Sequence, residues 1–229
     1  MRTQILYEDN SILVCRKPAG LAVETARIQE ADMVTELKNY LPKNGGRPPY
    51  LGVIHRLDQP VEGIVLFALN ESAARDLSLQ LAQGRMTKIY NALVYGRIPE
   101  NGEMSDLIYR TPDRGSAIAV PGKSTPAQLR EAKKSFLSYR KLDEMTYEDG
   151  NVSSLAEIRL GTGRHHQIRV QFAHAGHPLL GDRRYGSEAS AALSQSLGIR
   201  YVQLAACRLS FVHPVTRKPM DFETPVSFK

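Results

Sequence analysis

GVIHRLDQPVEGIVLFALN, residues 52–70, decides the fold. From Gly63 to Leu69 the run is apolar without a break. A run so short, entered through Pro60 and Gly63, suits a strand covered on both faces better than a helix. Asn70 can then cap a helix over 71–83, with Ala74, Leu77 and Leu81 on its apolar face and Gly84 placed to end it.

Upstream, residues 3–7 and 11–17 read as paired strands turning at Glu8-Asp9-Asn10, and Pro18-Ala19-Gly20 breaks the second. Met33, Val34, Leu37 and Leu41 predict a short helix over 31–41. A Gly/Pro/basic loop containing Lys43 and Arg47 follows, to Pro49. Downstream, strands are expected over 88–95, near 103–109, and over 134–142 and 152–160. In the last of these Val152, Ala156, Ile158 and Leu160 share a face by period two. Residues 111–134, with Arg114, Lys123, Arg130, Lys133 and Lys134, read as an exposed basic loop. It serves either RNA contact or plain solubility. A helix over 164–175 carries Ile168, Phe172 and Ala175 and stops at Gly176, and the tail is strand-rich over 199–211 and 219–225. Strands outnumber helices without alternating with them. The expected class is α+β, with a largely antiparallel or mixed sheet in a single domain over 1–229.

The composition is ordinary for a globular chain of 229 residues, 42% hydrophobic and 24% charged. A net charge of +6 is compatible with a polyanionic partner without proving one. The two cysteines, Cys15 and Cys207, form no C-x-x-C pair and read as buried thiols in a reducing compartment. The N-terminus lacks the apolar run of a signal peptide, and no stretch is long and apolar enough to span a bilayer. Cytoplasmic location and no membrane partner are the expectations.

Three segments carry chemistry. In Gly52–Gly63, Asp58 lies beyond the basic pair His55-Arg56 and before a Pro/Gly turn. It is either a functional carboxylate whose ionised form those cations favour, or an ion pair at a strand end. In Thr87-Lys88-Ile89-Tyr90, strand alternation puts Lys88 and Tyr90 on one face. Tyr90 could stack on a base or be a core tyrosine. In Gly161–Arg169, helical spacing puts His165 and Arg169 together, at a helix start able to present N–H groups to an anion. Four histidines lie between 165 and 177, but no carboxylate or cysteine completes a zinc pattern, and no metal is expected.

His55-Arg56-Leu57-Asp58 resembles the signature of the RluA-type family of pseudouridine synthases. Lys17-Pro-Ala-Gly20, Lys88-Ile-Tyr90, Gly163-Arg-His-His-Gln-Ile-Arg169, Gly181-Asp-Arg-Arg-Tyr-Gly186 and Phe211-Val-His-Pro214 are similar to its other motifs, in the same order, so the resemblance covers nearly the whole chain. Val61-Glu62-Gly63 stands where the family commonly has Thr-Ser-Gly, and Gln171 where a histidine is frequent. The resemblance implies the pseudouridine synthase fold, a curved mixed or antiparallel sheet with flanking helices and a central RNA-binding cleft. It also implies a catalytic domain without the small S4-like RNA-binding domain many members carry.

The implied reaction detaches uracil at N1 and rejoins it through C5. It changes no oxidation state and demands no cofactor, nucleotide or metal. Asp58 is implied as the essential carboxylate, and the sequence leaves open whether it attacks the sugar, attacks the base or acts as a base. Arg169 is implied as the cation that positions it, and Tyr90 as the tyrosine that stacks on the target base. His55, Arg56, Lys88, Arg164 and His166 are the expected RNA contacts, and the partner is a structured ribosomal or transfer RNA met by a monomer. Two other readings stay open. A glycoside or nucleoside hydrolase needs a second carboxylate, for which Glu62 is the nearest candidate. An RNA-binding protein without activity would keep the fold alone.

Overall fold

The computed structural model describes residues 1–25, 30–42, 48–113, 115–226 and 228. Lys43, Arg47 and Arg114, expected as basic loop residues, lie outside the described residues. The chain forms two compact units, residues 1–88 with 205–226 and residues 89–204 with 227–229.

In the first unit the opening strands are β1 (Gln4–Glu8) and β2 (Ile12–Lys17), paired antiparallel. The Asp9 carboxylate fixes their turn by accepting from the Ser11 and Ile12 amides at 2.7 and 2.9 Å. The decisive run is β4 (Glu62–Ala68), antiparallel to β2 on one side. Its other edge is shared, parallel to β10 (Leu204–Val212) at Glu62 and Gly63 and antiparallel to β3 (Gly52–Val53) at Phe67 and Ala68. Being paired on both edges and covered on both faces explains why β4 shows no polar alternation. β11 (Pro219–Glu223) pairs antiparallel with β10, and the parallel pairing of β4 with β10 makes the sheet mixed.

Helix α2 (Glu71–Ala82) starts where Asn70 accepts from the Ala73 amide at 2.9 Å. Its buried face is Ala73, Leu77 and Gln80, not Ala74, Leu77 and Leu81, which is a correction of about one position; Ala74 and Leu81 are partly buried against the same core. Gln80 can be buried because its amide exchanges hydrogen bonds with the Val212 backbone at 2.7 and 3.0 Å, as a strand neighbour would. Helix α1 (Met33–Tyr40) is capped by Asp32 through the Thr35 amide at 2.7 Å.

Gly63 sits at φ +127, and a Cβ there would collide with the Ala206 backbone of β10. Gly63→Ala should therefore destabilise this unit by more than about 1 kcal/mol, since both the backbone conformation and the strand contact forbid a side chain. A urea midpoint equal to wild type would show that β4 and β10 can separate at no cost.

The second unit holds an antiparallel sheet in the order β5 (Thr87–Tyr95), β9 (Val152–Leu160), β8 (Lys133–Thr146), β6 (Asn101–Arg110), β7 (Ser116–Ile118). The expected face of β9 holds, with Ala156 and Ile158 buried. Residues 111–134 contain more structure than a loop. They include β7 and the helix α3 (Pro126–Glu131), started by a capping box between Thr125 and Gln128. Helix α5 (Glu188–Ser196) was not read from its small, polar sequence, although Ser187 and Ser190 form a capping box at its start.

Helix α4 (Gln167–His174) begins at 167, not 164. It is buried from Gln167 to Phe172 without a polar face. Each buried polar residue has an anchor: Gln167 donates to the Phe136 carbonyl at 3.0 Å, Arg169 to Asp182, and Gln171 to the Asp106 carboxylate at 2.6 Å. No helix among the described residues is long and apolar enough to cross a membrane.

Candidate active site

In the first unit, Asp58 is half-buried on the loop between β3 and β4. Its carbonyl closes a turn by accepting from the Val61 amide at 3.0 Å, and the next carbonyl, of Gln59, accepts from the Gly20 amide at 2.8 Å. The loop is thereby tied to the segment that follows β2. Glu62 begins β4 with its carboxylate 3.6 Å from Arg16.

His55 is not the cation expected from the sequence. Burial, and then the charge of Lys88, push its imidazole down to about 3, so the ring is neutral. Its Nε2 accepts from the Leu66 amide at 3.3 Å, which makes it a brace between the Asp58 loop and β4. Arg56 is exposed and paired with Glu24 at 2.7 Å. The Lys88 ammonium is pushed below its ordinary value by burial.

In the second unit, Tyr90 is 6% exposed on β5 and Arg169 is 6% exposed on α4. The Arg169 guanidinium meets Asp182 in two parallel bonds, Nε to Oδ2 at 2.7 Å and Nη2 to Oδ1 at 2.8 Å. The same carboxylate accepts from the amides of Arg184 and Tyr185 at 3.0 and 3.2 Å. Burial pushes the Asp182 carboxyl up, but the Arg169 hydrogen bond and charge and the two amides outweigh it, so it lies below the ordinary carboxylate range. The guanidinium carbon lies 5.1 Å from the centre of the Tyr185 ring. Tyr185 is itself fixed, its hydroxyl accepting from the Ser116 amide at 2.9 Å and lying 2.7 Å from His166 Nδ1.

His166 occupies the cap of α4 in the left-handed region, φ 53, without a side-chain cap bond. His165 consequently lies outside the helix, and the expected pairing of His165 with Arg169 at helical spacing is corrected. Its ring stacks on His166 at 3.7 Å and meets Ser116 Oγ at 3.0 Å. Nor is the helix start an open anion cradle at Arg164, because the Arg164 amide donates to Gln167 Oε1 at 3.0 Å. The Arg164 side chain is exposed and donates through Nε to the Lys134 carbonyl at 2.9 Å. Among the described residues no group of histidines, cysteines and carboxylates has the arrangement of a metal site.

In the sequence alone, Asp182, Tyr185 and Lys17 carry no role beyond their places in the Gly181–Gly186 and Lys17–Gly20 motifs. Their signal was only position in a motif, because a buried charge has no periodicity to betray it.

The sequence profile of RNA pseudouridylate synthase matches residues 11–174, a span that includes Asp58, Tyr90 and Arg169. The chain belongs to that family. It is 32% identical over 222 residues to tRNA pseudouridine synthase C of Haemophilus ducreyi, covering 94% of this chain and 88% of that relative. It is 32% identical over 236 residues to ribosomal large subunit pseudouridine synthase D of Neisseria meningitidis, covering 99% of this chain but 59% of the relative. In three dimensions it is similar to human RNA pseudouridylate synthase domain containing 1, with a TM-score of 0.77 at 24% identity over 97% of this chain and 83% of that one. The expected α+β pseudouridine synthase fold and the RluA-type resemblance stand on these matches. As a family member the chain is an isomerase.

Proposed function

We propose that the chain isomerises uridine in ribosomal or transfer RNA, with Asp58 as the essential carboxylate and Tyr90 and Arg169 acting on the same uridine. The observation that carries this reading is a half-buried carboxylate on a loop tied down by its own backbone, inside the span matched by the family. In the reaction the bond from N1 to the sugar breaks, a bond from C5 to the sugar forms, and the proton leaves C5 while N1 gains one. Nothing is oxidised or reduced. Asp58 serves in its ionised form, Tyr90 stacks on the uracil, and Arg169 is held ready by Asp182 and Tyr185.

In this reading the two units work as one catalytic domain, acting as a cytoplasmic monomer without a nucleotide cofactor. The two buried thiols, Cys15 and Cys207, suit a reducing compartment. RNA contacts come from Arg56, Lys88, Arg164, His166 and the exposed Lys123, Arg130, Lys133 and Lys134. Tritium release from C5-labelled ribosomal and transfer RNA, isolated from cells lacking the gene, tests the reading and separates the two substrates. Release of free uracil instead would make the chain a hydrolase, a reading weakened by Glu62 lying beside Arg16.

Arg56 is the candidate to fill the space a flipped uridine leaves, exchanging Glu24 for RNA. Arg56→Ala should then lower kcat/KM on folded RNA by about tenfold, ~1.4 kcal/mol, with a smaller loss on a short single strand. Equal losses on both substrates would remove this role. Affinity for RNA should also fall steeply with salt, with a log–log slope of roughly −0.7 to −0.9 per phosphate contact. A flat salt response would mean that these surface cations do not meet the backbone.

A further inference from the structure

Arg16 is the last residue but one of β2, and Glu62 is the first of β4. Arg16 pairs across the ladder with Ile64. Glu62, two residues before Ile64, shares that face and lies diagonal to Arg16. The two side chains are 31% and 26% exposed, and Arg16 Nη2 lies 3.6 Å from the Glu62 carboxylate. That is an ion pair too long to be a hydrogen bond, and a pair so exposed holds its partners weakly. Among the described residues, none of the five guanidinium N–H groups of Arg16 has a hydrogen-bond acceptor. Glu62 stands where the family pattern has serine, so the carboxylate of this pair is a departure from that pattern.

The pair flanks the turn that carries Asp58. Glu62 follows Asp58 by four residues, beyond the bond from the Val61 amide that closes the turn. Arg16 leads into residues 17–20, and the Gly20 amide donates to the Gln59 carbonyl of the same turn. Lys17 shows how near these charges lie. Burial pushes its ammonium down to about 7, Asp58 and Glu62 pull it up, and Arg2 pushes it down. Lys17 has no exposed surface, and its Nζ already donates to the carbonyls of Leu21 at 2.6 Å, Gln59 at 3.0 Å and Pro18 at 3.1 Å. Of these two successive cations, Arg16 is the one with donors to give to a ligand.

We propose that Arg16 is a phosphate-binding residue for RNA, poised beside the Asp58 turn by Glu62, whose carboxylate limits how tightly the phosphate is held. The proposal rests on the reading of RNA as the substrate and of Asp58 as the group that meets the target uridine. A nucleotide brought to Asp58 carries a phosphate on each side of its ribose, and these are the anions that come nearest to Arg16. A planar guanidinium with unused donors suits a phosphodiester. Glu62 acts in the opposite sense, because a carboxylate repels the same phosphate and Arg16 offsets that repulsion. Together the pair is neutral in the free protein, and RNA turns it into a row of carboxylate, guanidinium and phosphate. A built-in repulsive charge of this kind penalises RNA that does not place its phosphate on Arg16.

The experiment measures equilibrium binding of a folded transfer RNA and of a folded fragment of large-subunit ribosomal RNA over a range of salt concentrations. Arg16→Gln should weaken binding roughly tenfold and reduce the log–log salt slope by about 0.7 to 0.9, the share of one phosphate contact. Glu62→Gln should do the reverse and tighten binding roughly threefold, as loss of a repelling rim charge does. The double variant should bind between Arg16→Gln and wild type, because the carboxylate left unpaired by Arg16→Gln is gone. Wild-type affinity and salt slope in Arg16→Gln overturn the proposal. Weaker binding in Glu62→Gln also overturns it, since a pair that is only a strut is broken equally from either side. If Arg16→Gln does not fold, Glu62→Gln decides by the same sign. Binding needs no turnover, so the two readings can fail separately. A wild type that releases no tritium while Arg16→Gln shows these losses overturns only the isomerase reading. Full tritium release with unchanged binding in Arg16→Gln overturns only the phosphate site, and a wild type that binds neither RNA overturns both.

Discussion

Asp58→Asn should abolish tritium release from C5-labelled RNA, with a fall in turnover of about 10⁴-fold or more, the scale on which loss of an essential carboxylate acts. Asparagine has nearly the same shape, and the turn depends on backbone groups, the Asp58 carbonyl to Val61 and the Gln59 carbonyl to Gly20, which the substitution leaves in place. The variant should therefore fold and bind RNA within a few-fold of wild type while losing chemistry, because an amide can neither act as a nucleophile nor accept the proton. Lys17 gives a second readout, since Asp58 is one of the charges that pull its ammonium upward. If Asp58→Asn kept a rate within tenfold of wild type, the carboxylate would be an ion-pair residue and the catalytic group would lie elsewhere. A wild type that binds RNA as tightly as the variant and modifies none would instead support a fold retained for binding alone.

Much of this was legible in the sequence, for identifiable reasons. The strand over 63–69 could be read because a segment covered on both faces has no room for polar side chains, and β4 is buried from Gly63 to Ala68. Asn70 could be read because capping is local chemistry. The candidate site residues of α4 could be named from a motif but not arranged. His166 in the left-handed region delays the helix to Gln167, and spacing arguments assume a helix already running at 164. His55 failed as a cation for a related reason. A side chain next to Arg56 in sequence looks exposed, whereas its ring packs inward and accepts from Leu66. Charge in a sequence is formal, and only burial and partners decide whether a group carries it. The same blindness hid Lys17 and Asp182, whose worth lies in acceptors and donors brought from other elements.

Asp182→Ala should cost about 3–5 kcal/mol of stability, because it removes the carboxylate that meets the buried Arg169 guanidinium in two parallel bonds. Arg169 is 6% exposed and cannot turn to water, and the amides of Arg184 and Tyr185 lose their acceptor at the same time. Denaturant unfolding, read by hydrogen exchange at the α4 amides, checks the size of the effect. The contribution also has a pH signature. The folded Asp182 carboxyl lies below its ordinary value of 3.8. Its contribution to stability is therefore fully present above that value and is lost as pH falls through the lower folded value. Wild type and Asp182→Asn should differ most near neutrality and converge in strong acid. Asp182→Asn keeps an oxygen for the two amides but no charge for the guanidinium, so it should retain more stability than alanine while still releasing Arg169. If Arg169 must be held in place to act on the uridine, the asparagine variant loses rate as well as stability. A variant that loses stability and keeps its full rate would make the Arg169–Asp182 pair a strut of the second unit and nothing more.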